Sequence, residues 1–332
     1  MAVTAFVTGG SGFVGGAVVR DLARRGMRVC ALCRGPDSDG RIAALGGTPV
    51  RGDLESVSAD QLAGAQLVVH AAARVAAWGP VELFHRVNVA GTARLLDAAR
   101  KAGVRRFIHI GTEAALFDGR PLVDIAEDDR PLAIHSPFAY ARTKALAERL
   151  VRAADDPETG FRTIVLRPRM IWGPGDRTLL PTIARMAAAG RFVWVDGGRA
   201  RTNTTHIANL LHAIRLAFSR GEGGRAYFIH DGEIRRMKDF LTRLAATRGI
   251  VLPARSLPSS VLRPVAAAVE SLWSGFAPDA EPPITRMAVA LMAADCVLRL
   301  DAARADLGYA PVIPVEEGLA QLTAAGAAPA AG

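Results

Sequence analysis

Strand and helix patterns alternate through the first half of this chain. Short apolar runs rich in β-branched residues predict strands at residues 4–8, 28–32, 48–50, 67–70, 107–110 and 163–166. Apolar residues at helical spacing fill the intervals, most clearly over residues 81–102 and 138–154. This alternation predicts an α/β protein in which a doubly wound parallel sheet carries helices on both faces. Ligands of such sheets bind beyond the carboxyl ends of the strands.

The turn after the first predicted strand carries glycines at a spacing suited to a diphosphate. Gly9, Gly12 and Gly15 fall between an apolar strand and a helix that starts near Phe13. Glycines at these intervals permit a tight turn, close approach of the backbone to a pyrophosphate, and close packing of helix on strand. The free N–H groups of the helix N-terminus favour negative charge. Turns and helix caps also collect glycine, but the flanking strand and helix favour a dinucleotide site in a Rossmann domain.

The pattern changes after Trp172, where Gly173-Pro174-Gly175-Asp176 interrupts the alternation and glycine and proline breaks become frequent. Residues 1–172 are therefore expected to form the Rossmann domain, to which later segments return. Residues 173–322 are expected to form a smaller C-terminal α/β lobe that binds substrate. The last segment, 323–332, is rich in alanine, glycine and proline and is expected to be disordered.

Composition narrows the classes of partner. The 332-residue chain has a formal net charge of +9, but its arginines are scattered, so we expect no nucleic-acid partner. Cys30 and Cys33 alternate within a predicted buried strand without a second ligand pair. They are expected to be core residues, with no metal site and no disulfide. The chain has no signal-peptide pattern and no apolar stretch long enough to cross a bilayer, which favours the cytoplasm.

Tyr140 and Lys144 carry the second chemical signal. A spacing of four residues puts both side chains on one helix face, and Ser136-Pro137 supplies a cap and a helix-starting proline before them. A phenol has a pKa near 10 and is a poor base at neutral pH. A nearby ammonium group lowers that pKa, which makes proton exchange with a substrate hydroxyl feasible. An ordinary surface helix is the alternative interpretation of the pair.

Thr112 puts a hydroxyl at the end of the fifth predicted strand. It could hydrogen-bond a reacting oxygen there, or simply occupy a strand-end turn. Taken in order along the chain, the glycine turn, Thr112, Tyr140 and Lys144 resemble the extended short-chain dehydrogenase/reductase superfamily. Further matches are Asp53-Leu54, His70-Ala71-Ala72, Asn88-Val89-Ala90-Gly91-Thr92, and Arg167-Pro168 followed by Trp172-Gly173-Pro174.

Within that superfamily the chain is most similar to the 3β-hydroxysteroid dehydrogenase-related branch, which includes bacterial reductases of long-chain 2-alkyl-3-keto acids. The residues that carry this likeness are Ala77-Trp78-Gly79, the stretch 166–176, and Gly308-Tyr309-Ala310-Pro311. The resemblance extends from the N-terminus to about Leu322.

The resemblance implies roles for particular residues. Tyr140 would be the acid/base, Lys144 would lower its pKa and hold the nicotinamide ribose, and Thr112 would replace the usual serine. Asn88 would fix the geometry of the active-site helix. Glu113 stands where a smaller or apolar residue is common, so it either touches substrate or points away. The implied cofactor-binding residues are Gly9, Ser11, Gly12, Phe13, Val14, Gly15, Arg34, Asp53, Leu54, Ala71, Ala72, Ala73, Tyr140, Lys144, Pro168 and Met170.

The choice of nicotinamide cofactor depends on the end of the second strand. NAD-preferring folds place an acidic residue there to bind the ribose hydroxyls, whereas this chain has Cys33 followed by Arg34. A guanidinium suits a 2′-phosphate because its planar donors match phosphate oxygens. We therefore expect NADP, with NAD as the alternative if Arg34 is an ordinary loop arginine.

Substrate contacts are expected from the C-terminal lobe and from loops above the sheet. The candidates are mostly apolar and indicate a hydrophobic substrate: Trp78, Glu113, Phe138, Met170, Trp172, Asn203 and Thr205. Trp172 and Met170 could instead pack between the lobes. Arg169 and Arg201 could grip a carboxylate or a diphosphate, which leaves a nucleotide sugar open.

Residues 261–276 carry one apolar helical face flanked by Arg255 and Arg263. We expect a helix that packs in the C-terminal lobe, with contact to a membrane surface as the alternative.

The sequence thus predicts an NADP-dependent oxidoreductase that interconverts a secondary alcohol and a ketone on a steroid-like or long-chain substrate. Two alternatives remain: a nucleotide-sugar epimerase or dehydratase with tightly bound NAD, and a non-catalytic NADP(H)-binding sensor. The resemblance also implies a homodimer formed through helices 81–102 and 138–154.

Overall fold

The computed structural model describes residues 3–277 and 280–327. Its first half alternates strands and helices, and all six predicted strands are confirmed with small changes in length. In chain order the elements are β1 (Thr4–Thr8), α1 (Phe13–Arg24), β2 (Arg28–Cys33), α2 (Pro36–Ala44), β3 (Thr48–Arg51), β4 (Leu67–His70), α3 (Val81–Phe84), α4 (Gly91–Lys101), β5 (Arg106–Ile110), β6 (Leu122–Ile125), α5 (Ala139–Ala153) and β7 (Arg162–Pro168).

The second half contains shorter strands and more helices. They are β8 (Ile171–Trp172), α6 (Leu179–Ala188), β9 (Trp194–Val195), β10 (Arg201–Thr202), β11 (Thr205–His206), α7 (Ile207–Leu216), β12 (Arg225–Ile229), β13 (Arg235–Arg236), α8 (Met237–Ala246), β14 (Ser256–Leu257), α9 (Ser259–Phe276), α10 (Arg286–Ala293), β15 (Cys296–Leu298) and α11 (Val315–Ala327).

Seven strands form the main sheet in the order β12-β7-β5-β4-β1-β2-β3, and every neighbouring pair is parallel. The strand order reverses between β1 and β4, so the crevice beyond their carboxyl ends is the expected ligand position. Successive apolar residues of β1 point to opposite faces of this sheet. Val7 packs in the core under α1 and α7, and Phe6 packs in the core under α4 and α5. The doubly wound α/β fold predicted from the sequence is confirmed.

The two halves of the chain exchange strands. β12 comes from the second half but completes the main sheet beside β7. β6 comes from the first half but joins the smaller sheet, whose order is β13-β10-β15-β6. The two lobes are therefore not consecutive pieces of sequence.

Two predicted segments differ in detail. Residues 81–102 form a helical stretch in which a π-helical turn, His85–Ala90, separates α3 from α4. Helix α11 includes residues 323–327, for which we expected disorder, while 328–332 lie outside the described residues. Cys30, Cys33 and Cys296 are free thiols. In the described ranges, no helix has the length and apolar character needed to span a membrane.

Candidate active site

The turn between β1 and α1 is closed by contacts that only glycine permits. Gly9 has a φ of +73°, and the Gly12 N–H donates to the Gly9 carbonyl over 2.9 Å. A Cβ on Gly15 would lie 2.1 Å from that carbonyl oxygen, and one on Gly9 would lie 2.9 Å from the Ala72 nitrogen. The turn therefore packs directly on the end of β4. With the free N–H groups of α1, it forms a cradle suited to a diphosphate.

Most of the predicted cofactor residues around this cradle are accessible. Those that are at least partly exposed are Gly9, Ser11, Gly12, Phe13, Val14, Arg34, Asp53, Ala71, Ala72, Ala73, Tyr140 and Met170. Met170 follows β7 and has a positive φ of +44°, so its backbone is held in an unusual conformation at the carboxyl edge of the sheet. Leu54 and Pro168 are buried, and Leu54 packs against Gly91 of α4.

At the end of β2, Cys33 occupies the position at which NAD-preferring folds carry an acidic residue. Its thiol donates to the Asp39 carboxylate over 2.9 Å, and burial raises the pKa of this thiol to about 11. Asp39 also forms an ion pair of 2.5 Å with Arg51. The Asp39 carboxylate is thus already bound by two protein groups.

Arg34 follows Cys33 and is exposed. Asp53 lies in the same region: hydrogen bonds within its own turn, led by that of Ser56, lower the pKa of the Asp53 carboxyl, and the charge of Arg34 contributes to the same shift. Arg34 and Asp53 therefore border one end of the cradle, the end at which the adenosine part of a dinucleotide would lie.

Tyr140 and Lys144 lie in the first turns of α5, as predicted, and both are next to the end of β5. The helix begins at Ala139 with Phe138 as its N-cap. The predicted cap was wrong: the Ser136 hydroxyl instead donates to a loop carbonyl, that of Phe117, over 2.9 Å. This bond ties the residues before α5 to the turn after β5.

The Tyr140 side chain packs against the apolar group that contains Ala114 and Phe117, in the turn that follows Thr112. Burial raises the pKa of Tyr140, the negative charge of Glu113 raises it further, and the Thr112 hydroxyl acts in the opposite direction. The structure therefore brings Thr112, Tyr140 and Lys144 together at one edge of the sheet, and it keeps the phenol protonated at neutral pH.

Lys144 is almost fully buried. Its ammonium group donates to the Ile110 carbonyl over 2.9 Å and lies 3.3 Å from Nε2 of His109. Burial lowers the pKa of Lys144 to about 8, although the charge of Glu148 raises it. A proton on this amine is therefore held weakly enough to be exchanged near neutral pH.

A set of uncharged side chains lies beneath Lys144, and we call Thr8, His70, Thr92 and His109 the neutral cluster. His70 Nδ1 lies 2.7 Å from the Thr8 hydroxyl, and His70 Nε2 lies 2.9 Å from the Thr92 hydroxyl. Thr92 donates its only hydrogen to the Asn88 carbonyl over 2.6 Å, so it accepts from His70, and Nε2 carries the imidazole proton. Burial, followed by the charge of Lys144, lowers the pKa of His70 to about 3, so the ring is neutral.

The neutral cluster was not found from the sequence. The sequence feature that could have indicated it is a histidine in each of two predicted neighbouring strands. His70 on β4 and His109 on β5 are register partners and therefore share one face of the sheet. Asn88 lies next to the cluster: its Oδ1 accepts the Arg74 N–H over 2.7 Å, and its Nδ2 donates to Thr143 of α5 over 3.1 Å. Asn88 thus ties α5 to the loop after β4, which is the role that the resemblance implied.

The substrate side of α5 contains charge. We call Thr112, Glu113, Arg169 and Thr202 the charged cluster. Glu113 accepts from the Thr112 hydroxyl over 2.7 Å and from the Arg169 guanidinium over 2.6 Å. Arg169 also donates to Thr202 over 2.8 Å, so the cluster links the end of β5 to β10 of the smaller sheet. Glu113 does not point away into solvent, since it is buried and both of its oxygens are bound within the protein, and contact with substrate stays a prediction.

The two arginines proposed as anion grips are both engaged within the protein. Arg169 is 3% exposed and bound by the charged cluster. Arg201 lies on β10 and pairs with Asp295 at 2.8 Å. The Arg169 guanidinium is therefore not free to hold a substrate carboxylate or diphosphate, whereas Arg201 is exposed and held only by a surface pair.

Three predicted substrate residues are buried between the lobes. Trp172 donates its indole N–H to Asp231 over 2.9 Å, which agrees with the packing alternative. Asn203 and Thr205 are fully buried, and both make hydrogen bonds to backbone groups. All three side chains therefore serve interlobe packing here rather than a surface open to ligand.

The remaining candidates, Trp78 and Phe138, are partly exposed. Phe138 stacks on Phe117 with ring centroids 5.7 Å apart. The same apolar group contains Tyr140 together with Ala290, Leu291 and Ala294, which belong to or follow α10. Helix α10 thus forms an apolar wall beside the phenol, a contribution the sequence did not indicate.

Comparison with known proteins agrees with this geometry. The sequence model of the NAD dependent epimerase/dehydratase family matches residues 5–229. A 4-hydroxy-2-methyl-3-oxo-4-farnesyl-3,4-dihydroquinoline-1-oxide ketoreductase of Stigmatella aurantiaca is 42% identical over 97% of this chain and 96% of its own. A 2-alkyl-3-oxoalkanoate reductase of Stenotrophomonas maltophilia is 34% identical over 97% of this chain and 99% of its own.

A solved structure, that of gox2253, has a TM-score of 0.76 and 32% identity, with coverage of 98% of this chain and 97% of that one. The likeness extends over the smaller lobe as well as the main sheet. The chain belongs to the NAD dependent epimerase/dehydratase family within the short-chain dehydrogenase/reductase superfamily, and it is an NAD(P)-dependent oxidoreductase that acts on a CH–OH group.

Proposed function

We propose that this protein interconverts a ketone and a secondary alcohol on a hydrophobic substrate, with NADP as cofactor and Tyr140 as the acid/base. The observation that carries the proposal is the position of Tyr140 and buried Lys144 on one helix, α5, with the Lys144 ammonium group on the Ile110 carbonyl at the carboxyl end of β5, two residues before Thr112. The glycine cradle opens at the same edge.

The residues present fit a dinucleotide. The cradle built from Gly9, Gly12 and Gly15 has no room for a side chain at Gly15, and it presents a helix N-terminus. Met170 and Lys144 lie farther along the edge, where the nicotinamide half would be held. A bound nicotinamide cofactor supplies or accepts a hydride.

In the reduction direction, Tyr140 donates its phenolic proton to the oxygen of the substrate carbonyl. The raised pKa of Tyr140 keeps that proton available at neutral pH. Lys144 then stabilises the phenolate that forms, because its ammonium charge is buried next to the phenol-bearing face of α5. In oxidation the same groups act in reverse, and Tyr140 takes the proton of the substrate hydroxyl.

The adenosine end supports NADP. Cys33 replaces the acidic residue that would repel a 2′-phosphate, and the nearby Asp39 carboxylate is bound by Cys33 and Arg51. Arg34 is exposed and is available to a phosphate.

We predict that Arg34→Asp lowers the ratio of kcat/KM for NADPH to that for NADH about 10- to 100-fold, because a charge-assisted contact is replaced by repulsion. Arg41→Asp, an exposed arginine of α2, is the matched control and should leave the ratio unchanged. An unaltered ratio in the Arg34 variant would contradict the assignment of NADP.

The apolar surroundings of Tyr140 support a hydrophobic substrate. Phe117, Phe138 and the α10 residues carry no charge, and the two relatives are named for farnesyl-bearing and alkyl-bearing oxo compounds. The buried pairing of Arg169 with Glu113 removes one of the two arginines expected to hold the diphosphate of a nucleotide sugar, the alternative substrate, and leaves the exposed Arg201 as the other.

The test is oxidation of NADPH, followed against a panel of 3-keto acids, ketosteroids, cyclic aromatic ketones and a nucleotide sugar, and repeated with NADH. We expect turnover of a hydrophobic ketone with NADPH, and a loss of about 10²- to 10⁴-fold in Tyr140→Phe. Turnover retained in Tyr140→Phe would overturn the mechanism. NAD that co-purifies with the protein, together with turnover of the sugar alone, would favour the epimerase, and binding of NADP(H) without any turnover would favour the sensor.

We also propose a cytoplasmic homodimer that uses α4 and α5, as the resemblance implied, and light scattering on the purified protein tests the dimer. Helix α9 leaves Val261, Val265, Leu272 and Phe276 exposed, so the membrane-surface alternative remains a prediction. Sedimentation with vesicles of anionic lipid tests it.

A further inference from the structure

His109 is a buried group on β5 that the proposed mechanism does not use. It is 1% exposed, and its Nε2 lies 3.3 Å from Nζ of Lys144. Its other ring nitrogen, Nδ1, is also buried and has no hydrogen-bond partner among the described residues. The Lys144 amine has a second contact on the same strand, the Ile110 carbonyl, over 2.9 Å. One side of the imidazole is therefore joined to the lysine, and the other side is unbound.

The charge of Lys144 decides the direction of its hydrogen bond with His109. An ammonium group has three hydrogens and no lone pair, so it donates to Nε2, and the imidazole proton is then on Nδ1. A neutral amine has a lone pair, so it accepts from Nε2–H while it still donates to the Ile110 carbonyl. Between the two states the pair loses one proton: the hydrogen in the bond passes from Nζ to Nε2, and the Nδ1 proton is lost to solvent.

From this geometry we propose that His109 is a positioning residue whose tautomer changes with the charge of Lys144. It accepts from the ammonium group as the Nδ1–H tautomer and donates to the neutral amine as the Nε2–H tautomer. Lys144 therefore keeps two partners on β5 in both states, and its Nζ stays at the carboxyl end of the strand when the amine exchanges its proton. The value of this position for catalysis rests on the proposed function, in which Lys144 stabilises the Tyr140 phenolate.

Both states are populated near neutral pH. In the charged state an ammonium group is buried and the Nδ1–H of His109 lacks an acceptor, and both of these costs favour loss of a proton. Burial lowers the pKa of Lys144 to about 8, which agrees with this expectation. The change of tautomer therefore falls in a pH range in which it can be measured.

The carboxylates on the elements next to the pair are bound to arginines. Glu148, one turn after Lys144 on α5, forms a buried ion pair with Arg167 of β7, with 3.0 Å between Oε2 and Nε. Glu113, in the turn after β5, pairs with Arg169 over 2.6 Å. The charges of these four side chains are therefore compensated within each pair.

The aromatic neighbours of the pair keep their protons. Tyr140, one turn before Lys144, does so because burial raises its pKa. His70 of β4 packs on the His109 ring with centroids 5.1 Å apart, and both of its nitrogens are bound to threonine hydroxyls. Burial also lowers the pKa of His109 well below its usual value, so its ring changes tautomer without taking up a second proton. A change of tautomer near pH 8 therefore reports on Lys144.

The test is the tautomer of His109, measured by NMR of protein labelled with nitrogen-15 histidine between about pH 6 and pH 10. A ring nitrogen that bears a proton and one that does not have well-separated chemical shifts, so the spectrum identifies the tautomer. The chain has seven histidines, and the signals lost in His109→Gln identify those of His109. We expect the proton on Nδ1 at the lower pH and on Nε2 at the higher pH, with a midpoint at the Lys144 pKa of about 8.

Variants of Lys144 separate this coupling from a structural role of His109. Lys144→Met removes the amine, and the His109 signals should then show one tautomer over the whole pH range. Lys144→Arg keeps a permanent charge and should hold His109 as the Nδ1–H tautomer throughout, so it serves if the methionine variant does not fold. The matched control is Lys101→Met, which removes an exposed lysine of α4 and should leave the midpoint unchanged.

His109 signals that do not change tautomer in the parent protein, or that change in the same way in a folded Lys144 variant, would overturn the inference. The NMR titration does not depend on activity. A change of tautomer that follows Lys144 in a protein that reduces no ketone would therefore leave the coupling intact and count against the proposed function alone.

Discussion

The two buried polar clusters on either side of α5 are built differently. The neutral cluster lies under the cofactor side and is a chain of uncharged hydrogen bonds, in which His70 is held between Thr8 and Thr92. The charged cluster lies on the substrate side and is an ion pair between Glu113 and Arg169. Both clusters touch the groups that we assign to catalysis, but only the charged cluster contains ionised side chains, whose charges cancel in the pair.

The difference reflects what each cluster connects. The neutral cluster joins strands of one sheet whose spacing is already fixed by backbone hydrogen bonds, so weak and directional contacts suffice. The charged cluster pairs two residues that follow the neighbouring strands β5 and β7 of the main sheet, and Arg169 extends it to Thr202 on β10 of the smaller sheet. Its two charges compensate each other at the end of the main sheet, and the hydrogen bond to Thr202 is the part of the cluster that depends on the contact between lobes.

The largest effect should follow from breaking the ion pair. Arg169→Met leaves Glu113 buried without its counter-charge, and we expect a loss of about 3–5 kcal/mol in the free energy of unfolding, measured with urea. The double variant with Glu113→Gln should recover most of that loss. Arg201→Met is the matched control, because the exposed pair with Asp295 is worth less than about 1 kcal/mol. Equal losses in the two arginine variants would show that burial of the pair is unimportant.

The two clusters also show which features of the site could be predicted from the sequence and which could not. The glycine turn, the strands and the Tyr140–Lys144 spacing could be predicted because each depends on residues close together in the chain. Thr112 could be placed because a strand end is a local feature. Glu113 was singled out only as a departure from a family pattern, since its partner Arg169 is 56 residues away.

Arg169 was interpreted as an anion grip for the same reason. An arginine in a basic chain gives no sign of which carboxylate it meets, and here that partner is decided by the strand order, which puts β5 next to β7. The exchange of β6 and β12 between the sheets was also hidden, because both strands are short and their neighbours lie far away in sequence. Local sterics can thus be predicted from this sequence, and long-range pairing cannot.

A pH experiment sharpens the comparison at Lys144, the charge that lies on the neutral cluster. The folded-state pKa of this amine is about 8, below its usual 10.5. Below pH 8, folding therefore buries a charge that the unfolded chain leaves in water, and this cost disappears as the pH rises towards 10.5. Lys144→Met should stabilise the cofactor-free protein more at pH 7 than at pH 10, by about 2–3 kcal/mol.

The measurement is urea unfolding of both proteins at the two pH values. The control is Lys101→Met, which removes an exposed lysine of α4 and should give a difference that does not depend on pH. A difference between Lys144→Met and the parent protein that is the same at both pH values would mean that the amine is as well solvated in the folded protein as in the unfolded chain.

The smallest effect is expected within the neutral cluster itself. Thr92→Val keeps the shape of the side chain but removes the hydroxyl that accepts from His70 and donates to the Asn88 carbonyl. The imidazole N–H is then buried without an acceptor, at a cost of about 1–2 kcal/mol in urea unfolding. Thr92→Ser retains the hydroxyl and should lose less. Because the His70 ring is neutral at both pH values, the loss in the free energy of unfolding should be the same at pH 6 and pH 8, unlike the pH-dependent effect at Lys144. A loss as large as the one expected for Arg169→Met would show that the two clusters do not differ in this respect.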